Sequence, residues 1–348
     1  MRALRVEPEK LRYRAMIGTG GLGSGSFFAL SGDHTLGREE SRGGRFLERR
    51  DYCKLHIIAH YVATLLGGGF ETIPVGKVGG DDVGEKLLAE MGEAGMNLRY
   101  VRSSPGDQTL FSFCFVYPDG SGGNLTTEDS ASSRVDAALV REAEPEFARF
   151  AGRGVALAAP EVPLEAREAV LELGRRHAFL RAATFTSEEM RSALGSGMLG
   201  RVDLLGINID EAAAAAGTAG GGSGRTEDVV EAAVTRLREA NADMIVTITA
   251  GGRGSWCWDG SSLGHRRKCS AEVASTAGAG DAHLAGMIVG LAAGLPAREA
   301  HELAGLVAGL SVTSPHTIDK GIGRESLRAF AGECEAALSE SVRSLMEG

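Results

Sequence analysis

Short apolar runs alternate with segments of helical periodicity along this chain, and that alternation restricts its fold more than any other feature. Gly154 to Ala158 and Met244 to Thr249 read as buried strands, and Phe179 to Thr184 and Val202 to Gly206 as further short ones. Arg14 to Ile17 and Glu71 to Val78 add two more near the start. Between strands the spacing changes to that of helices. Cys53 to Leu66 places Leu55, Ile58, Ala59, Val62, Leu65 and Leu66 at helical intervals and stops at Gly67-Gly68-Gly69. Val83, Leu87, Leu88 and Met91 mark another apolar helix face, and Glu165 to His177, Ile209 to Ala216 and Glu227 to Ala240 continue the series. Strands and helices in this order build a mostly parallel sheet with helices on both faces, an α/β fold. From Asp281 onward the chain reads as helical, with breaks near Gly294-Leu295-Pro296 and from Thr313 to Gly323.

Two segments interrupt the alternation, roughly 27–49 and 107–127. Thr109 to Tyr117 alternates apolar and small residues before the turn signal Pro118-Asp119-Gly120. Both segments are expected to project from the main sheet and together form a small β-lid. The organisation expected is therefore one domain over 12–348 with the lid inserted in it. Glycine supplies 50 of the 348 residues, in short clusters without a G-X-Y period, and Gly217 to Gly224 reads as a flexible loop. A net charge of −9 argues against coating nucleic acid or an anionic membrane. The longest low-charge run, Ala282 to Ala297, falls short of the roughly 20 apolar residues that span a bilayer. Met1 to Arg14 has no apolar core of a secretory signal. Cys53, Cys114, Cys257, Cys269 and Cys334 are scattered and odd in number, which suggests reduced thiols in the cytoplasm.

The segment that carries chemistry is Ser275-Thr276-Ala277-Gly278-Ala279-Gly280-Asp281, which opens a helix of small and apolar residues. Unpaired N–H groups and the positive end of the helix dipole make such a start an anion site. A carboxylate at its mouth repels a resting anion, so its presence asks for a reason. Phosphoryl transfer gives one: Asp281 takes a proton from an attacking hydroxyl while the amides of Gly278, Ala279 and Gly280 stabilise charge on the transferring group. The plain alternative is an aspartate capping an ordinary helix.

GAGD followed by Ala282-His283-Leu284-Ala285-Gly286 resembles the C-terminal signature of the PfkB, or ribokinase-like, carbohydrate kinases. Other motifs follow in that family's order. Val78 to Gly84 resembles its G-x-D-x-x-G segment, Asn208-Ile209-Asp210-Glu211 its N-x-x-E motif, and Thr249 to Gly254 its T-x-G-x-x-G nucleotide loop. The resemblance covers roughly residues 14–340. It implies a three-layer α/β/α sandwich with a β-lid and ATP-dependent transfer to a hydroxyl of a sugar-like molecule. It further implies Asp281 as base, Thr249, Gly251 and Gly254 at the nucleotide, and Asn208 and Glu211 ordering Mg²⁺ largely through water. K⁺ or another monovalent cation is a further candidate cofactor, and a homodimer through the lid a candidate assembly. Without the family pattern, Asn208 and Glu211 read as helix-capping residues, and Asp81 and Asp82 as structural.

The acceptor region departs from the family. Glycines and Ser24 stand where its N-terminal substrate aspartate is expected, and Asp33 comes about ten residues later. Its G-G-x-x-x-N motif is absent, and Asp51-Tyr52-Cys53-Lys54-Leu55-His56 leads into the helix instead. Asp33, Lys54 and His56 are the acceptor-site candidates; Arg38, Arg42 and Arg45 are either a solvated loop or the grip on an anionic acceptor. His56 and His60 share a helix face, but HxxxH without the intervening glutamate is a weak metal signal. Two other functions remain open. Gly18-Thr19-Gly20-Gly21-Leu22-Gly23 fits the GxGxxG of a nicotinamide-dependent oxidoreductase, which needs a helix immediately after it. A non-catalytic sugar or nucleotide sensor on the kinase fold is the other.

Overall fold

The computed structural model describes residues 2–119, 122–218 and 225–347. Gly120 of the expected turn and positions 219–224 of the expected glycine-rich loop lie outside the described residues. The main sheet contains β1 (Ala15–Thr19), β4 (Glu71–Gly79), β5 (Tyr100–Ser104), β8 (Gly154–Ala158), β9 (Leu180–Ala183), β10 (Leu204–Asn208), β11 (Ile245–Thr249), β12 (Ser255–Trp258) and β13 (Leu263–Arg266). Its nine strands run in the order β13-β12-β11-β10-β9-β8-β1-β4-β5, parallel except where β12 pairs with β11 and β13. Every residue of β1 and β8 is buried, as a strand covered on both sides requires. Neighbouring residues along a strand serve opposite layers. Met16, Leu157 and Leu204 pack with the helices Lys54–Leu66, Ala279–Ala292 and Ala297–Ser311. Ile17, Ala158 and Leu205 pack with Leu164–Arg176 and Thr226–Ala240. The result is the expected three-layer α/β/α arrangement. Leu4 and Leu11, ahead of the expected boundary at residue 12, are buried in the first of these cores.

A second, four-stranded sheet is formed by β2 (Gly23–Leu30), β3 (Gly44–Tyr52), β6 (Leu110–Val116) and β7 (Gly122–Thr126), in the order β3-β2-β6-β7. Both segments singled out as interruptions contribute to it. One face is buried and includes Gly23, Gly25, Phe27, Asp51, Ser112 and Cys114. The other is open: Phe46 is 66% exposed and Leu125 62%, and Phe46 meets Phe28 and Phe113 edge-on there. The glycines of the GxGxxG pattern run from β1 straight into β2. A strand stands where dinucleotide binding needs a helix, and this overturns the oxidoreductase reading.

Helix Ala279–Ala292 has an almost unbroken buried surface and meets Ala297–Ser311 at very short range. A Cβ on Gly286 would lie 2.5 Å from Cα of Ala304, and one on Gly290 would lie 2.7 Å from Cα of Ala300. Both glycines exist so that two backbones can touch. Alanine in a helix interior is favoured over glycine by about 1 kcal/mol, but here overpacking dominates. Gly286→Ala should lower stability by roughly 1–3 kcal/mol, read as a lower urea midpoint; an unchanged or higher midpoint contradicts this packing.

Candidate active site

The helix Ala279–Ala292 begins at Gly278, whose φ of +78° is left-handed. A side chain at Gly278 would meet the Thr317 carbonyl oxygen at 2.7 Å, so conformation and space both demand glycine. Among the described residues, the N–H groups of Gly280 and Asp281 have no backbone acceptor. Asp281, in the first turn of this buried helix, is itself only 8% exposed. Its carboxylate lies 3.8 Å from the ammonium of Lys54, the first residue of helix Lys54–Leu66. Burial raises the pKa of Asp281, the Lys54 charge lowers it, and the Asp51 carboxylate raises it further. The Asp281 charge in turn raises the pKa of Lys54, overcoming the desolvation that opposes it.

Glu161 follows β8 in the segment Pro160-Glu161-Val162-Pro163, with a left-handed φ of +73°. Its Oε2 accepts the backbone N–H of Lys54 at 3.2 Å. The side chain fills the space beside Gly21, where a Cβ would come within 2.3 Å of Oε2. Burial pushes the Glu161 carboxyl up to about 7, although Lys54 opposes the shift. Glu211 is pushed up to about 7 for the same reason and against the same lysine.

Asn208 ends β10 and caps the helix Ile209–Ala216. Its side-chain oxygen accepts the N–H groups of Asp210 and Glu211, both at 2.9 Å, and the Glu211 carboxylate accepts the N–H of Asn208 at 2.8 Å. Thr249 ends β11, and Gly251 and Gly254 adopt left-handed φ values of +53° and +86° in the turn that follows. Asn208, Glu211, Thr249, Gly251, Gly254, Gly278, Ala279, Gly280, Asp281 and Lys54 all line one cleft of about 420 Å³ at the carboxyl ends of the strands. Val273, Ala308, Gly309 and Val312 give that cleft an apolar end.

Two sequence candidates lie elsewhere. Asp33 is exposed in the connection between β2 and β3 and does not line the cleft. In that connection Arg42 hydrogen-bonds Glu40 and the His34 carbonyl, while Arg38 and Arg45 are exposed. His56 is buried off the cleft, its ring 4.8 Å from Tyr52 and 6.4 Å from His60. Burial and the neighbouring His60 push His56 down to about 3, so it is a neutral core imidazole at ordinary pH. No cluster of three His, Cys, Asp or Glu suited to a metal occurs among the described residues. Glu161 and Asp51 were not anticipated. An acid between two prolines at the end of a buried strand was a usable signal for Glu161; Asp51 depends on pairing in the second sheet.

Residues 58–322 match the family model described as pfkB family carbohydrate kinase. The chain belongs to this family and is a carbohydrate kinase. Its fold is that of ribokinase structures. A ribokinase from Cryptococcus neoformans var. grubii serotype A in complex with ADP is 18% identical with a TM-score of 0.75, over 92% of this chain and 99% of that one. A ribokinase from Arabidopsis thaliana complexed with ribose and ATP is 18% identical with a TM-score of 0.66, over 97% and 99%. A putative ribokinase II from E. coli is 15% identical with a TM-score of 0.72, over 92% and 99%. No curated protein sequence matches the chain.

The Glu161 carboxyl has a stability consequence with a definite sign. Its pKa is higher folded than unfolded, so its contribution falls as pH rises from the ordinary carboxylate range through about 7. Glu161→Gln should therefore gain stability relative to the parent chain at pH 8 and not at pH 4. Denaturant titrations at the two pH values measure it; an equal difference at both contradicts the buried, raised carboxyl.

Proposed function

We propose that this carbohydrate kinase uses ATP and Mg²⁺ to phosphorylate a hydroxyl of a sugar or related small polar molecule, with Asp281 as general base. The observation that carries this reading is the buried carboxylate of Asp281 beside the open amides of Gly280 and itself, at the base of the cleft. The acceptor hydroxyl donates its proton to Asp281 as its oxygen bonds to the γ-phosphorus. The bond from that phosphorus to the β-phosphate oxygen breaks, and ADP leaves. The amides of Gly280 and Asp281 and the helix dipole stabilise charge on the phosphoryl oxygens in flight.

The apolar end of the cleft fits a nucleobase, with Thr249, Gly251 and Gly254 beside the phosphates. The ADP of the Cryptococcus ribokinase and the ATP and ribose of the Arabidopsis enzyme support this assignment by analogy of fold. Mg²⁺ supplies counter-charge to the phosphates. Asn208 and Glu211 fit an ion that keeps most of its waters, since both already serve as a helix cap and only Glu211 adds a carboxylate. Lys54 lowers the pKa of Asp281 against burial and faces the acceptor hydroxyl. The second sheet acts as a lid that excludes water, and its open aromatic face pairs with a second copy of the chain. Among the described residues no helix is long and apolar enough to cross a membrane; the proposed setting is the cytoplasm.

Asp281→Asn keeps size and charge-independent packing but removes the proton acceptor. Turnover should fall by at least about a hundredfold, with nucleotide affinity unchanged or improved. Near-parental turnover in a folded variant makes Asp281 a structural residue and defeats the mechanism. Lys54→Met removes the charge that lowers the Asp281 pKa, so the acid limb of the kcat/KM profile should move to higher pH. A profile that stays in place refutes the pairing. Light scattering should report a dimer that Phe46→Glu dissociates; a monomeric parent chain rejects the lid interface.

A further inference from the structure

The acceptor site needs groups that hold a polyol, and the glycines after β1 provide no side chain for it. The second sheet provides one. Asp51, on β3 opposite Gly25 of β2, is 7% exposed on the buried face of that sheet. Its Oδ2 accepts the hydroxyl of Ser112 and, at 3.4 Å, the thiol of Cys114, both on β6. Those donors are neutral, and among the described residues no lysine, arginine or histidine pairs with this carboxylate. Its Oδ1 accepts no hydrogen bond there. A buried carboxylate without a counter-ion is costly unless a ligand completes its hydrogen bonds.

The position of Asp51 says where that ligand lies. Three residues on, Lys54 reaches Asp281, and the intervening Cys53 N–H bonds the Gly23 carbonyl at the start of β2. The Asp51 charge is felt at both Asp281 and Glu161, where it raises the pKa. Opposite it, Gly25 leaves no room for a side chain, since a Cβ would fall 2.0 Å from the Ser112 hydroxyl oxygen.

We propose that Asp51 is an acceptor-binding residue: its free oxygen receives hydroxyl hydrogens of an uncharged polyhydroxyl acceptor, beside Lys54 and Asp281. This rests on the kinase reading above and goes further in assigning both the residue and the charge class of the acceptor. Asp281, Glu161 and Glu211 act on one lysine, Lys54, which is already engaged with Asp281, and the Asp51 carboxylate acts on Asp281 and Glu161. Arg42 is spent on Glu40 in the β2–β3 connection, and Arg50 pairs with Glu90. A phosphorylated or carboxylated sugar placed beside Asp51 would meet this negative charge, whereas hydroxyl groups of a neutral polyol are donors to the carboxyl groups.

The test uses the full chain with a non-hydrolysable ATP analogue and Mg²⁺. Thermal stabilisation is measured with a panel of neutral sugars and nucleosides, sugar phosphates and sugar acids. At least one uncharged polyol should raise the melting temperature of the parent chain. Asp51→Asn should weaken its affinity roughly 10- to 100-fold and leave the response to the ATP analogue unchanged. Ser112→Ala, which disturbs the same buried contact but keeps the carboxylate, should bind far better than Asp51→Asn. The proposal is overturned if only anionic sugars stabilise the chain, if no uncharged polyol does, or if Asp51→Asn binds the polyol as the parent does. ADP release with ATP in place of the analogue separates the two readings: binding that depends on Asp51 without phosphoryl transfer counts against the kinase mechanism alone.

Discussion

The close approach of Lys54 to Asp281 is the interaction on which the rest of the site turns. An aspartate buried at a helix start is pulled two ways, toward protonation by burial and toward ionisation by a neighbouring ammonium. A base for hydroxyl chemistry has to be ionised when the substrate arrives, and it also has to hold a proton once transfer begins. A fully solvated aspartate meets the first need and is a weak base. A buried one without a cation is a stronger base that spends its time protonated. At Asp281 the ammonium of Lys54, 3.8 Å away, opposes the burial that raises its pKa. Lys54 can occupy that place because its helix begins there, with its backbone N–H fixed on Glu161.

The same arrangement connects chemistry to the lid through the backbone. Thr317 stands against Gly278, the residue that shapes the helix start. Its N–H donates to the Arg50 carbonyl at 3.2 Å, and its hydroxyl oxygen accepts the N–H of Tyr52 at 2.9 Å. Arg50 and Tyr52 end β3, and their side chains share the Glu90 carboxylate. The end of β3 is therefore anchored on one side to the turn that presents the amides and on the other to Glu90 on helix Asp82–Glu93. Asp51, between the two anchored residues, has its side chain directed to the opposite face of the strand.

Parts of this design were legible in the sequence because they are local. The glycine turn with Asp281, the Asn208–Glu211 pair and the glycines after β11 each lie within a few consecutive residues; helix geometry made the first legible as an anion site, and the resemblance to the kinase family singled out the other two. The alternation that gives the sandwich is also a local signal. Residues whose charge acts on Asp281 through long-range pairing were not legible. Asp51 is brought in by the register of β3 against β2, with its irregularity between Ser26 and Phe27. Asp33 was a candidate although it comes about ten residues after the place of the family's substrate aspartate, and it lies exposed in the connection between β2 and β3, away from the cleft lining. His56 was ambiguous for a different reason. Helix Lys54–Leu66 is buried on nearly every side, from Leu55 to Leu66, so periodicity could not say which face looks at the cleft.

Glu211 shows why a structural role and a functional one need not compete. As a capping residue it accepts the Asn208 N–H through Oε2 and fixes the first turn of its helix. The same bond fixes the carboxylate at the cleft wall, buried and with its pKa raised to about 7 despite Lys54. A mobile glutamate there would have to be ordered each time a hydrated cation bound, at an entropic cost that the cap has already met during folding. The capping box also holds Asn208 at the carboxyl end of β10, so that two polar groups line the cleft from one rigid turn. Rigidity of the cap is thus the physical basis of preorganisation at the site.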